Sequence, residues 1–247
     1  MTILKNKEEI RKIRSSGKII REIFILIKDE IKPGISTSGI DKIVESLILE
    51  KGGRPAFKGY RGFPASICAS VNNVVVHGIP SEKTILSEGD IISVDVGVEK
   101  EGFYGDAART FKVGKVSEEA ARLMEATERC LTEAIKKARA GARLFDISNV
   151  VETIARDEGF SEVRAFVGHG IGRNLHEPPE VPNWGEPGKG LVLKEGLVLA
   201  IEPMINAGTR EIDIMPDEWT AVTADGRLSA HFEDTVIVGK EKAEILT

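Results

Sequence analysis

Any fold open to this chain must accept charges placed where its strand patterns are most apolar, and buried charges are costly unless paired or metal-bound. Asp95 follows Ile91-Ile92-Ser93-Val94, Asp106 sits in Gly105-Asp106-Ala107, and His169 follows Val167-Gly168. Glu202 follows Leu199-Ala200-Ile201, and Glu233 follows His231-Phe232. Four carboxylates brought together repel one another unless cations sit between them. The set therefore predicts a site for two divalent metal ions.

Ile91 to Val98 and Phe103 to Phe111 read as two strands joined around Lys100-Glu101-Gly102. Alternation places Ile92, Val94, Val96 and Val98 on one face and Ser93, Asp95 and Gly97 on the other. A turn centred between Lys100 and Glu101 sets Asp95 directly opposite Asp106, with Cβ atoms about 4.5–5.5 Å apart. Like charges so placed destabilise a sheet, and two merely solvated strand residues would have to bear that cost. A shared metal removes it.

Around this hairpin the chain alternates helical and extended patterns. Asn6-Lys7-Glu8-Glu9 has the form of a capping box, followed by a stripe of Ile10, Ile13, Gly17, Ile20, Phe24, Ile27 and Ile31 that ends at Pro33-Gly34. Ser36-Thr37-Ser38 opens a second helix carrying Ile40, Ile43, Val44, Leu47 and Ile48, closed by Gly52-Gly53. Strand patterns follow from about residue 65 to 111. A third helix begins at Ser117 and a fourth at Asp146, the latter ending at Gly159. Strand patterns return from 162 to 238, with Asp225-Gly226 expected as a hairpin turn. Two helices then strands, given twice with a seam near Gly114, predict one catalytic domain over 1–247 built of half-repeats, about 1–114 and 115–247. Strands without interleaved helices indicate an antiparallel α+β fold rather than a doubly wound sheet.

Bulk properties narrow the function. A net charge of −5 points away from nucleic acid and from membrane surfaces. Two cysteines, Cys68 and Cys130, exclude a Cys-rich zinc module and suit a reducing compartment. The charged N-terminal residues lack the apolar core of a signal peptide, and no run approaches the ~20 apolar residues of a membrane span. A cytoplasmic enzyme is expected.

Ligand chemistry narrows it further. Four carboxylates and one imidazole favour Mn, Fe or Co over thiolate-selected ions, and His169 argues against a structural calcium site, which takes oxygen ligands. A pair of such ions polarises a carbonyl and turns a shared water into a hydroxide nucleophile near neutral pH. Two further histidines, His77 in Val76-His77-Gly78-Ile79-Pro80 and His176 in Leu175-His176-Glu177-Pro178, fall in Gly- or Pro-bounded loops. A lone histidine beside an apolar strand is more often a satisfied core residue. Here three of four histidines sit near the expected site, where an imidazole can donate to an oxyanion or a leaving amine. The fourth, His231, stands two residues before Glu233 with its role open.

His77-Gly78-Ile79-Pro80, Gly102-Phe103-Tyr104-Gly105-Asp106, Gly168-His169-Gly170-Ile171-Gly172, His176-Glu177-Pro178-Pro179 and Ile201-Glu202-Pro203-Met204 together resemble the motifs of methionine aminopeptidases, in order along the whole chain. The resemblance implies the duplicated pita-bread α+β fold and removal of N-terminal methionine before a small second residue. By the same resemblance, Asp95 would chelate one metal, Asp106 and Glu233 would bridge the two, and His169 and Glu202 would complete the second, with Co, Mn, Fe or Zn as the ion. Glu202 would also shuttle protons, His176 would meet the scissile carbonyl oxygen, and His77 the amide nitrogen. Tyr60, Phe63, Cys68, Phe166, Leu175 and Trp219 would line the methionine pocket. The partners implied are N-termini of nascent polypeptides near the ribosome, met by a monomer.

The short Glu177–Gly190 stretch looks like type I, without the inserted subdomain of type II, and a helix beginning almost at once matches the compact form without a zinc-binding extension. Two positions depart from the common pattern: Asp234 where many relatives carry His, and Gly97 where Thr is frequent. The nearest rival is an X-Pro-cleaving relative (a prolidase or aminopeptidase P), which usually carries an N-terminal domain for which the helix near Asn6 leaves no room. A non-catalytic binding protein on the same fold would be expected to have lost ligands, and all five are present.

Overall fold

A computed structural model describes residues 3–247. Its four helices begin where a cap meets an apolar stripe. In α1 (Lys7–Ile27) the Asn6 side chain accepts from the Glu8 and Glu9 amides while Glu9 accepts from the Asn6 amide, satisfying otherwise orphaned donors. Ile31 lies beyond the end of α1 but remains buried in the same core. Ser36 caps α2 (Thr37–Glu50), and Ser117 caps α3 (Glu118–Lys137). The fourth helix, α4 (Leu144–Asp157), starts earlier than expected. Asp146 is its third residue and reaches back to the Arg143 amide at 2.9 Å, so it caps from within the first turn.

Antiparallel strands make the rest. The Ile91–Lys100 strand pairs with Phe103–Lys112, Cys68–Val71 and Arg54–Pro55. Its Ile92, Val94, Val96 and Val98 pack, fully buried, in one core with the inner faces of α1 and α2. Each such side chain contributes about 1.5–3 kcal/mol. The other face carries Asp95 toward an internal cavity.

The register differs from the expected one. Pairing runs from Lys100↔Phe103 to Ile91↔Lys112, so the turn is Glu101-Gly102, with φ of 54° and 78°. This is the two-residue geometry with both central φ positive that matches strand twist, and Gly102 adopts it without steric cost. The expected centre lies one residue too early. Asp95 consequently faces Ala108, and Asp106 faces Gly97. The two aspartates are diagonal neighbours on one face, roughly 7–8 Å or somewhat less between Cβ atoms, which leaves room between their carboxylates.

A five-stranded antiparallel sheet orders Glu244–Ile245, Asp234–Ile237, Val198–Ile201, Gly168–Gly170 and Glu177–Val181. It contributes Val181, Leu199, Ile201 and Val236 to a second core shared with α3 and α4. It meets the first hairpin at a seam where Ala108 and Glu233 exchange backbone hydrogen bonds of 3.4 and 2.9 Å. Beside them the Thr235 hydroxyl accepts from the Asp106 amide at 3.0 Å and donates to its carbonyl at 2.8 Å. Asp106 and Glu233, far apart in sequence, are thereby set side by side.

Asp225-Gly226 does turn the chain, with Gly226 at φ 73° and bonded to the Thr223 carbonyl, but it is no hairpin. Ala221–Thr223 pairs with Ile212–Ile214 and Val74–Val76, whereas Ser229–His231 pairs with Met204–Asn206. The turn passes the chain between sheets, a choice that local turn chemistry does not encode. Among the described residues no helix is long and apolar enough to cross a membrane.

Candidate active site

A cavity of about 190 Å³ lies where the two sheets meet. Asp95, Asp106, His169, Glu202 and Glu233 all line it, as do His77 and His176. Each is delivered by a tight local geometry. His169 stands between two glycines packed against neighbouring backbone: a Cβ on Gly168 would lie 2.4 Å from the Ala200 carbonyl oxygen, and one on Gly170 2.5 Å from that of Pro178. Glu202 follows directly on the Val198–Ile201 strand, before Pro203 ends it. His77 has a left-handed backbone, φ 59°, at a cost of roughly 1–2 kcal/mol.

The donors fit divalent cations. Ligand atoms of Asp106, His169 and Glu233 all lie within 4.8 Å of one another. The His169 Nδ1 is 2.9 Å from the Gly170 carbonyl and donates to it, which leaves Nε2 an unprotonated ligand atom, 3.6 Å from Glu202 Oε1. Among the described residues, Asp95 Oδ1, Asp106 Oδ1 and Glu233 Oε1 are buried without a hydrogen-bond partner. Uncompensated oxygens of this kind are expensive unless a cation satisfies them. Cations between them would do so.

Electrostatics agree with the geometry. Burial pushes Asp95 up to about 7. Burial first, and the neighbouring carboxylates second, hold Asp106, Glu202 and Glu233 well above the ordinary carboxylate range. Without metal, these groups keep protons in the folded state that the unfolded chain releases near pH ~4. Below about 6.5 the cavity histidines offset this, because the unfolded chain protonates them and burial keeps the folded ones neutral. In the window from about 6.5 upward the carboxylates decide: the native state binds more protons than the unfolded one, and stability falls as pH rises. Chelator-treated protein should therefore show a melting temperature that declines across this window. Excess Mn should reverse the decline most strongly at its upper end, because it binds only the folded state. A melting temperature that climbs with pH there in chelator would contradict this account.

Burial favours the neutral form of the cavity's imidazoles. Burial lowers His169 to about 4, His176 to about 3 and His231 to about 3, and lowers His77 as well. The His176 ring stacks on Tyr60, its Nδ1 lies 2.9 Å from the Tyr60 hydroxyl, and its centroid is 4.2 Å from that of His169.

Tyr60, Phe63, Cys68, Phe166, Leu175 and Trp219 line the same cavity. Phe63 and Trp219 meet edge to face at 5.1 Å, and Phe166 packs edge to face against His77 at 5.2 Å. Cys68 pairs with Asp95 across the ladder, and burial raises its thiol well above the usual range, so it packs as a small apolar group.

Phe57, Arg61, Val76, Val167 and His231 also line the cavity. Phe57 had one indirect signal, a glycine inside an alternating strand, which marks close approach. A Cβ on Gly97 would lie 2.5 Å from the Phe57 ring, so the departure at Gly97 gives that ring its place. His231 is buried with Nε2 3.8 Å from Glu202 Oε2. The other departure, Asp234, is compensated locally. It pairs with Arg109 Nη2 at 2.6 Å and accepts from the Thr247 hydroxyl at 2.9 Å, while Arg109 also donates to the Glu233 carbonyl.

Residues 11–240 match metallopeptidase family M24. The chain is 52% identical over 247 residues to a methionine aminopeptidase of Clostridium perfringens, covering 100% of this chain and 99% of that one. The crystal structure of a methionine aminopeptidase from Thermotoga maritima superposes with a TM-score of 0.99 at 42% identity, covering 100% and 99% of the two chains. A prolidase from Pyrococcus furiosus shares the fold with a TM-score of 0.81 at 24% identity, and this chain spans 65% of it. Full-length similarity at this level, on a fold that gathers five metal-capable side chains into one cavity, means that the chain belongs to metallopeptidase family M24.

Proposed function

We propose that this chain releases the N-terminal methionine of peptides and newly made proteins, preferably when the second residue is small. The observation that carries this is a metal-capable carboxylate cluster in a cavity with an aromatic and sulfur-bearing lining, in a chain 52% identical throughout to a methionine aminopeptidase. The prolidase likeness, at 24% identity, is one of fold alone.

Use of divalent metal follows from the family and the donor set. The finer assignment is a pair of ions: Asp95 would hold one, His169 and Glu202 would hold the other, and Asp106 and Glu233 would serve both. Mn, Fe or Co suits these donors best, with Zn as an alternative. When bound, the ions supply Lewis-acid polarisation and acidify water.

The protein's own groups orient the substrate and handle its protons. The Tyr60 hydroxyl lies 2.9 Å from His176 Nδ1; in the proposed tautomer it donates to that nitrogen, so the proton of the neutral ring sits on Nε2, the donor to the scissile carbonyl oxygen. His77, fixed by its backbone and by Phe166, binds the amide nitrogen and serves the departing amine. Glu202 lies between His169 and His231 and carries the proton from water toward that amine. The Phe63–Trp219 pair receives the thioether, where each sulfur–aromatic contact adds about 0.3–1.5 kcal/mol. A substrate that is the N-terminus of a new chain places the enzyme in the cytoplasm near the ribosome. It would act as a monomer.

The test is release of free methionine from Met-Ala-Ser, assayed with Mn, Fe and Co separately, beside an Ala-Pro peptide. Methionine release with at least one metal and little Ala-Pro cleavage is expected. The reverse preference would favour the X-Pro reading, and metal-independent silence on both peptides would favour a binding protein.

A further inference from the structure

Behind His176 lies an ion pair that solvent does not reach. Lys5 Nζ sits 2.5 Å from Glu177 Oε2, and the two side chains are only 1% and 3% exposed. The other carboxylate oxygen of Glu177 accepts from the backbone amides of Arg173 at 2.8 Å and Asn174 at 3.1 Å. One carboxylate thus closes the 173–177 loop on itself, and Lys5 grips it from outside the loop.

Lys5 is itself held. Its amide donates to the Gly196 carbonyl at 2.9 Å, and its stem fills the space beside Gly172, where a Cβ would lie 2.1 Å from Lys5 Cε. A second strand of the same strap is the Glu9–Arg173 pair at 2.6 Å. The segment leading into α1 is therefore fastened to the loop that carries His176.

A dry ion pair is a poor source of net stability, since desolvation costs several kcal/mol per ion and apolar residues often serve as well. What this pair does secure is position. Glu177 is the next residue after His176, and the His176 ring is otherwise steadied by the Tyr60 hydroxyl and the His169 ring.

We propose that Lys5 and Glu177 are positioning residues for the reaction, holding the 173–177 loop so that His176 meets the scissile carbonyl oxygen. This rests on the role given to His176 above. A shift of about 1 Å in such a group is enough to cost about 10²-fold in rate.

The test is Lys5→Met, which keeps an unbranched apolar stem beside Gly172 and removes the charge. The kcat on Met-Ala-Ser should fall about 10²-fold with KM little changed, and metal uptake by calorimetry should match the wild type. The decisive measurement is the same substitution in a His176→Ala background. If Lys5 acts through His176, it costs nothing further there, whereas a general loosening of the fold costs the same factor in both backgrounds. Lys5→Gln, which retains a donor, serves as the milder second variant, and each protein is assayed well below its own melting temperature. Wild-type kcat in Lys5→Met, or an equal loss in both backgrounds, would overturn the proposal. Failure of the wild-type protein to release methionine would instead overturn the activity assigned above.

Discussion

Replacing Asp106 with Asn, or Glu233 with Gln, should reduce methionine release to background and lower the number of metal ions the protein retains. Both side chains belong to the group whose ligand atoms lie within 4.8 Å of each other, and each has an oxygen without any protein partner. An amide in place of the carboxylate removes one anionic oxygen and presents N–H donors, which no cation accepts. Loss of a partner that only supports a ligand costs roughly 10–100-fold, so loss of a ligand itself should exceed that. The seam makes local repair difficult. The Ala108–Glu233 backbone pair and the Thr235 hydroxyl fix both positions, so neither side chain can be replaced by sliding its neighbour inward. The same substitutions should leave the metal-free protein no less stable than the wild type, because they remove one of four mutually repelling buried carboxylates. Titration calorimetry and chelator melts read these two effects separately. Near-wild-type turnover in either variant would end the two-ion scheme.

His176→Ala should lower kcat by about 10²–10³-fold, the usual loss for one donor to a developing oxyanion, while metal uptake stays at the wild-type level. The two neighbouring rings are distinguished by their second nitrogens. His169 spends Nδ1 on the Gly170 carbonyl and points Nε2 at the carboxylates, as a ligand must. His176 Nδ1 instead lies 2.9 Å from the Tyr60 hydroxyl, and with that hydroxyl as the donor the ring keeps its Nε2 proton for the substrate. His169→Ala should accordingly lose metal where His176→Ala does not. A metal-depleted His176→Ala protein would make His176 a ligand and reverse the assignment.

Much of this molecule is legible in one dimension because its causes are local. Asn6, Ser36 and Ser117 announce helix starts because a side-chain oxygen three residues upstream is what an orphan amide needs. The alternation in Ile91–Val98 separates the core face from the face bearing Asp95, since successive side chains must point to opposite sides. Charges at the ends of apolar runs are visible for the same reason, as an expense that ordinary packing does not explain.

The hairpin register is local in cause as well: Glu101-Gly102, with glycine second, takes the positive φ that Lys100-Glu101 does not, which moves Asp95 from opposite Asp106 to a diagonal. Other features arise only from tertiary contact. The Asp225-Gly226 turn is encoded, but the sheets it joins are chosen by distant partners. The place of Phe57 beside Gly97, of His231 under Glu202 and of Lys5 against Glu177 follows from surfaces brought together by folding, with no periodicity to announce them. Sequence alone therefore determined which elements form and which side chains are chemically out of place. The tertiary structure decided how those side chains face one another, because the pairing of distant strands and the burial of charge depend on long-range packing.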